Sequence, residues 1–266
     1  MQNKAEIGII GGTGFYDFFQ EGEELEINTK FGSPSDKIVI GNLFGKKVAF
    51  LPRHGKKHHF PPHQIPYKAN ILSLKEIGVE RIIGPTAVGS LKKDFNPGDF
   101  VICDQFIDFT KRRDSFFNGP QICHIEMAYP YCKELRKIAL NEAREIGLKT
   151  HSKGTVVIIE GPRFSTLAES QHFSKIGGDV VNMTQYPEVV LASELGICYL
   201  NISLVTDYDA GIYEGSNISP VSVEDVLDNF NRNMDSLKKL VSAIIKETPE
   251  RRGCDCKEKS IRALIK

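Results

Sequence analysis

Residues 7–14, IGIIGGTG, decide how the rest of the chain is read. Ile7, Ile9 and Ile10 form an apolar run of strand length, and Gly11, Gly12 and Gly14 force a tight turn directly after it. Working outward, runs at 37–40, 47–51, 81–83, 100–103, 155–159, 179–182 and 197–205 share the strand length and the β-branched enrichment. Between them, 67–77 and 129–146 carry apolar residues at helical spacing and stop at Gly78 and Gly147. Residues 165–175 and 187–195 repeat the habit, and a last long helix is expected over 223–246. Strand and helix alternating with no composition break predict a single α/β domain over 1–246 around a central sheet. Residues 247–266 are charged, hold Pro249, Gly253 and a CxC pair, and read as a tail, loosely packed or docked on a neighbour.

The composition excludes several classes of function. Lysine plus arginine equal aspartate plus glutamate at 34 each, so the formal net charge is zero and no long-range field draws a nucleic acid or an anionic membrane. The most apolar stretches, 180–191 and 196–205, are broken by polar residues well short of the roughly 20 apolar residues of a membrane span. The opening MQNKAEIGIIGG has no small-residue cleavage site after a charged region, so a cytoplasmic location is expected. Cys103, Cys123, Cys132, Cys198, Cys254 and Cys256 have neither the density of a disulfide scaffold nor CxxC zinc spacing, and most read as buried thiols.

Five segments carry chemistry, each with a blander alternative. The glycine turn offers several backbone N–H groups at one point, which suits an oxyanion or serves as a plain turn. A dinucleotide site would need a third glycine at position 17, where Asp17 stands. Residues 52–70, PRHGKKHHFPPHQIPYKAN, cluster Arg53, His54, Lys56, Lys57, His58, His59 and His63. Arginine there suits a bidentate grip on phosphate oxygens, a solvated basic loop is the alternative, and no HExxH string points to a metal. GPTAVGS, 84–90, brings small residues and a hydroxyl to a strand's carboxyl end, where ligands of open α/β sheets gather, or is an ordinary strand exit. EGPRFST, 160–166, mixes a flat aromatic with polar groups, as a base pocket needs, or is a helix start capped by Ser165. In VTDYD, 205–209, Asp207 and Asp209 stand two apart at a strand exit, aimed to one side by the period of two; a carboxyl group there can protonate a leaving ring nitrogen, or both are solvated loop residues.

Taken in order, GGTGFYD, LPRHGKKHHFPPHQIPYKAN, GPTAVGSL, SFFNG with CHIEMAYPYC, IEGPRFST, VNMTQYPEVVLASELGICY and VTDYD resemble the motifs of the 5′-methylthioadenosine phosphorylases. These are trimer-forming purine nucleoside phosphorylases, and the match spans residues 7–230. The resemblance implies a central mixed β-sheet flanked by helices, pentosyltransferase activity with inorganic phosphate as nucleophile, and no metal or organic cofactor. It implies phosphate contacts from Thr13, Arg53, His54, Thr86, Ala87 and Thr184, Thr86 and Ala87 partly through backbone amides. Met183 would lie under the ribose, Phe164 and Ser165 beside the base, and Asp207 and Asp209, as catalytic groups, on the purine ring nitrogen and exocyclic amine. His124 would reach from a neighbouring subunit toward the alkylthio group, walled by Val223, Val226 and Leu227. The implied assembly is a homotrimer, or a hexamer built as a dimer of trimers.

Two aspartates favour a 6-amino purine, because 6-oxopurine relatives typically carry asparagine at the position of Asp207, so adenine is preferred over hypoxanthine. The alternatives are a 6-oxopurine or methylthioinosine phosphorylase and, more distantly, a non-catalytic nucleoside-binding or redox CxC protein. Cys254 and Cys256 resemble the tails of thermophile members, where disulfides add stability, and Cys132 and Cys198 match positions that are paired in those members and free thiols in cytosolic relatives, so their bridge is a hypothesis. The segment 210–220, AGIYEGSNISP, is longer than the family pattern and is read as a gate over the base.

Overall fold

The structure is a computed structural model that describes residues 5–19, 22–113, 115–210 and 221–265, the side chains of Thr13, Tyr16 and Asp17 excepted. The expected gate over 210–220 lies, Ala210 excepted, outside the described residues. Strands β1 (Ile7–Gly11), β2 (Glu23–Leu25), β3 (Ile38–Leu43) and β4 (Lys46–Pro52) precede helix α1 (Tyr67–Glu76). Then come β5 (Arg81–Ser90), β6 (Phe100–Val101), β7 (Gln105–Asp108), α2 (Lys133–Glu145), β8 (Thr150–His151), β9 (Thr155–Ile158) and α3 (Leu167–Lys175). The chain ends with β10 (Val180–Asn182), α4 (Gln185–Glu194), β11 (Cys198–Asp207), α5 (Val223–Arg232), α6 (Met234–Glu247) and α7 (Cys256–Arg262).

One mixed sheet of 11 strands forms the centre, as expected, and side chains alternate across it. On one face Ile7, Ile9, Val48, Phe50, Leu200, Ile202 and Leu204 pack with Leu135 of α2 and Leu240, Val241 and Ile244 of α6. On the other, Ile10, Ala49, Leu51, Tyr199 and Val205 pack with Ile71 and Leu74 of α1 and Leu191 and Ala192 of α4. Strands buried on both faces read as unbroken apolar runs, and for that reason β1, β4 and β11 were legible in the sequence. The short β2, β7 and β8 are half exposed and polar, and no apolar run marked them.

The helix ends follow the glycine reading. Past α1 and α2 the chain turns through Gly78 at φ +96° and Gly147 at φ +72°, left-handed positions that a side chain would strain. Several bounds differ from expectation. Helix α2 begins at Lys133 rather than 129, directly after Cys132, whose extended backbone at φ −63° and ψ 118° forms the N-cap. The expected single helix over 223–246 is two, α5 and α6, broken at Asn233, whose side-chain Nδ2 donates to Asn229 O at 2.8 Å. Helix α3 is capped by Thr166 rather than Ser165, through a reciprocal capping box with Glu169.

The decisive feature is β5. It runs on through GPTAVGS instead of ending at Ile83, because β11 lies parallel beside it from Arg81 to Gly89. On its other edge β1 pairs only with Arg81–Ile83, and β10 takes over, antiparallel, only at Gly89 and Ser90. Among the described residues, no strand covers that edge from 84 to 88. The sheet splits at this gap, and backbone polar groups there need partners that are not strands.

The tail docks on its own chain. Arg81 Nη2 donates to Pro249 O at 2.8 Å, Arg252 Nη1 to Gly196 O at 2.8 Å, and His124 N to Ala263 O at 2.8 Å. No helix among the described residues is long and apolar enough to cross a membrane.

Candidate active site

A cavity of about 360 Å³ opens over the split in the sheet, a volume suited to a small organic ligand. Its wall contains Arg53, His54, Thr86, Ala87, Phe164, Met183, Thr184, Asp207, Asp209, Val223, Val226 and Leu227. Gly12 and Gly14 of the first glycine turn also line it; Thr13 lies between them, with its side chain outside the described set. Seven separated sequence segments thus meet at one concavity. Two candidates do not line it. Ser165 stands just behind the wall with its Oγ buried and without a hydrogen-bond partner. His124 is exposed and outside the cavity of its own chain.

The β5–β11 register gives the cavity a direction. Thr86 sits opposite Ser203, whereas Gly89 sits opposite Asp207, so the two wall positions are three residues, roughly 10 Å, apart along β5. A β-bulge between Val205 and Asp207 marks the far end.

At the Thr86 end the polar groups are already bonded to protein. Arg53 is only 3 % exposed; its Nε and Nη2 donate to the Glu188 carboxylate at 2.6 and 3.1 Å, Nη2 also to Ile10 O at 2.8 Å, and Nη1 to Pro85 O at 3.0 Å. The fork expected to grip an anion therefore faces Glu188. Burial alone would lower the Arg53 pKa, but the Glu188 charge and hydrogen bonds override it and hold the guanidinium protonated. The Thr86 hydroxyl accepts from Asn201 Nδ2 at 3.0 Å. His54 donates Nδ1–H to Phe60 O at 2.8 Å in the tautomer that satisfies both groups. Burial, with Arg53 and His58 nearby, pushes His54 down to about 4, so the ring is neutral at neutral pH. Of the rest of the basic loop, His58 also lines the cavity, its ring stacked on His54 at 4.4 Å, while Lys56, Lys57, His59 and His63 are exposed.

The Asp207 end is less complete. Burial raises Asp207 to about 6, against the Thr206 hydroxyl at 2.8 Å and the Asp209 amide at 2.7 Å, which favour its charged form. Asp209, 3 % exposed and at φ +47°, is also raised by burial. Its Oδ2, like Ser165 Oγ, Ser170 Oγ and Asn182 Nδ2, is buried without a hydrogen-bond partner. Gly89 is required here: a Cβ would lie 2.9 Å from Asp207 Oδ1 and 3.1 Å from the Asp209 Cα.

Sequence reasoning missed Arg112. Its guanidinium is buried and donates to the carbonyls of Met183 at 2.8 Å, Tyr186 at 2.7 Å and Glu160 at 2.7 Å, fixing the loop that presents Met183 and Thr184. It also missed Asn182 and Phe230, which stand beside residues it did choose.

A second constellation lies far from the cavity. The sulfurs of Cys132, Cys198, Cys254 and Cys256 all fall within 4.8 Å of one another, close enough to hold a metal ion or to pair. Cys198 opens β11 and Asp207 closes it, nine residues or roughly 30 Å apart. The six cysteines are free thiols here, with Cys198 Sγ 3.2 Å from Cys254 Sγ. The sequence spacing had hidden this convergence, because the tail brings Cys254 and Cys256 back against the start of β11.

Residues 6–246 match the family model described as the phosphorylase superfamily. The chain is 52% identical over 252 residues, 94% of its length and 96% of the relative's, to the S-methyl-5′-thioadenosine phosphorylase of Pyrococcus abyssi. It is 50% identical over 256 residues, 94% of its length and 95% of the relative's, to a probable 6-oxopurine nucleoside phosphorylase of Dictyoglomus turgidum. Among solved structures, a mutant adenosine/methylthioadenosine phosphorylase from Schistosoma mansoni in complex with methylthioadenosine superposes with a TM-score of 0.89 at 34% identity, covering 98% of both chains.

Proposed function

This chain belongs to the phosphorylase superfamily, and from that premise we propose that it catalyses the phosphorolysis of 5′-methylthioadenosine to adenine and 5-methylthioribose 1-phosphate. It acts as a pentosyltransferase of the purine nucleoside phosphorylase type. One observation carries the reading: a single cavity joins polar groups at a split in the sheet to two buried carboxyl groups roughly 10 Å along the same strand pair, beside an apolar rim. The similarity to methylthioadenosine phosphorylases, at 52% identity against 50% for the 6-oxopurine relative, supports the amino purine. The aspartate pair favours the amino purine, because Asp207 can serve the ring nitrogen while Asp209 accepts from a 6-amino group, whereas an asparagine amide at 207 better faces a 6-oxo purine.

In this reading inorganic phosphate binds at the Thr86 end, held by Arg53, Thr13, the hydroxyls of Thr86 and Thr184, and the backbone of Thr86 and Ala87, of whose two amides one faces β11 and the other the uncovered edge of β5. Neutral His54, its Nδ1–H given to Phe60 O, can accept through Nε2 from a protonated phosphate oxygen without adding charge. The ribose lies over Met183, and the purine beside Phe164 and Ser165. As the glycosidic bond lengthens, positive charge grows on the sugar above the bound anion and negative charge on the departing base. Asp207, raised to about 6, holds a proton within reach of neutral pH and gives it to the purine ring nitrogen, while Asp209 accepts from the 6-amino group. Positioning and fixed dipoles supply the remainder of the acceleration. Val223 and Leu227, large apolar side chains left exposed at the rim, and Val226 cover the methylthio group.

Further parts of the proposal rest on the family resemblance. The chain assembles as a homotrimer, or a hexamer of two trimers, in which His124 enters the cavity of a neighbour. It works in purine and methionine salvage in the cytoplasm, with phosphate as co-substrate and without metal or organic cofactor, and the catalytic domain ends at residue 246. The proximity of four sulfurs supports oxidative pairing, with Cys132 bound to Cys198. Intact mass with and without reductant tests that bridge, and four free thiols in air, or one metal ion per chain, would remove it.

The central test follows base release from methylthioadenosine and methylthioinosine, each with and without phosphate. Expected is phosphate-dependent release of adenine with a clear preference for the amino purine. Equal release without phosphate, or a preference for hypoxanthine release, overturns the assignment.

A further inference from the structure

We infer that Glu188, braced by Tyr199, is a positioning residue for the anion half of the reaction: it fixes the plane of Arg53 and rations how much of that guanidinium reaches phosphate. The inference rests on the function proposed above for the cavity that Arg53 lines. Glu188 lies inside α4, fully buried, behind the cavity wall rather than on it. Its Oε1 and Oε2 take Nε and Nη2 of Arg53 at 2.6 and 3.1 Å, side-on, and Oε2 also accepts from Tyr199 Oη at 2.7 Å.

A guanidinium has five N–H groups. Two go to Glu188, one to Ile10 O and one to Pro85 O, leaving a single Nη1 hydrogen for the cavity. Arg53 therefore meets an anion through one fixed N–H, with its charge already balanced by Glu188. Such an arrangement holds the anion by geometry more than by net charge, so it can orient phosphate under the sugar without binding it too tightly to be transferred.

A second observation points the same way. Tyr199 is fully buried on β11, and burial beside the Glu188 charge keeps its phenol protonated, so it can only donate to that carboxylate. Room for the phenol is left by Gly84 on β5: a Cβ there would lie 2.5 Å from Tyr199 Oη and 3.4 Å from Arg53 Nη2. Strand β5 thus gives up a side chain where the brace passes, at the start of its uncovered edge.

The test compares Glu188→Gln and Tyr199→Phe with the wild-type protein. Affinity for inorganic phosphate is measured directly, without nucleoside, and the KM values for phosphate and for methylthioadenosine are measured separately. Glu188→Gln loses one charged acceptor at unchanged size; phosphate Kd and KM are expected to rise about 10- to 100-fold, as for a misaligned group, with the nucleoside KM within about 3-fold. Tyr199→Phe keeps both buried charges and so folds; its phosphate KM is expected to rise about 3-fold, the loss of one hydrogen bond. Unchanged or tighter phosphate binding in a folded Glu188→Gln protein overturns the inference, as does an equal rise in both KM values in either variant. Failure of the proposed reaction is seen separately, as wild-type protein that binds phosphate but releases no adenine.

Discussion

The two ends of the cavity are built on opposite plans. At the Thr86 end the main charged group is satisfied before any ligand arrives, with four of its five N–H groups committed to the protein. At the Asp207 end, Asp209 Oδ2, Ser165 Oγ, Ser170 Oγ and Asn182 Nδ2 are buried without partners. A buried polar atom without a partner costs about 1–3 kcal/mol, which a bound ligand can return as affinity. The difference suits the two substrates. Phosphate offers oxygens in every direction and needs to be aimed, whereas a purine edge has a few fixed donors and acceptors and needs to be recognised.

The sharpest way to break the contrast is to remove its anchor. Arg53→Ala leaves Glu188 charged, fully buried and without its cation, and breaking such a pair costs about 3–5 kcal/mol. We expect a large fall in Tm together with a loss of phosphorolysis of about 100- to 1000-fold, the scale for removing one preorganised electrostatic donor. Asp209→Asn, at the open end, is expected to do the reverse: no loss of Tm, because asparagine tolerates φ +47° and ends a burial penalty on charge, but a fall of about 100-fold in kcat/KM for methylthioadenosine. Thermal melts and initial rates on the two variants decide. If Asp209→Asn unfolds as readily as Arg53→Ala, the two ends do not differ in kind.

A pH series sharpens the same comparison. Burial raises Asp207 from its ordinary 3.8 to about 6, so the folded state binds this proton more tightly than the unfolded chain does. The stability it contributes is complete below about pH 4 and is lost as pH rises through 6. At 1.4 kcal/mol per unit the difference is at most about 3 kcal/mol. Asp207→Asn should therefore raise Tm at pH 7.5, leave it near wild type at pH 4, and abolish a fall in kcat/KM for the nucleoside above pH 6. A pH-independent gain in Tm would mean that the carboxyl group is not strained by burial. Partial acceptance of a 6-oxopurine nucleoside by the same variant would tie the strain to base choice.

Much of the fold was open to reading because strands buried on both faces leave apolar runs, and because Gly78 and Gly147 stop helices where only left-handed backbone can turn. The site was legible residue by residue where chemistry-bearing side chains close a strand, as Asp207 and Asp209 do. What the sequence hid was all relational. Nothing in Glu188 or Tyr199 marks them as partners of Arg53, which lies 135 residues away from the first, and the grip expected of Arg53 was assigned to a ligand when the protein had taken it. Nothing sets Arg112 apart from Lys111 and Arg113 beside it in the sequence, yet it folds inward to three carbonyls. The four converging cysteines come from segments whose spacing says nothing of their meeting. Periodicity reports which face a residue occupies; it does not report who stands opposite.

The smallest expected effect probes whether the open end owes its shape to the helix that borders it. Helix α3 starts one residue after Ser165–Thr166, and Thr166 Oγ1 accepts from Glu169 N at 3.2 Å while the Glu169 carboxylate accepts from Thr166 N at 2.8 Å. Arg163 pairs with the same carboxylate at 2.7 Å, and that pairing holds Glu169 at about 2. Removing the cap with Thr166→Ala should cost about 1 kcal/mol, the usual value for such a residue. Because Phe164 and Ser165 immediately precede the cap, fraying there loosens the base wall and not the anion floor. The nucleoside KM is therefore expected to rise by about 2- to 5-fold, roughly what 1 kcal/mol allows, with phosphate KM unchanged. A rise in both would show that the two ends are mechanically one, against the independence their hydrogen bonding implies.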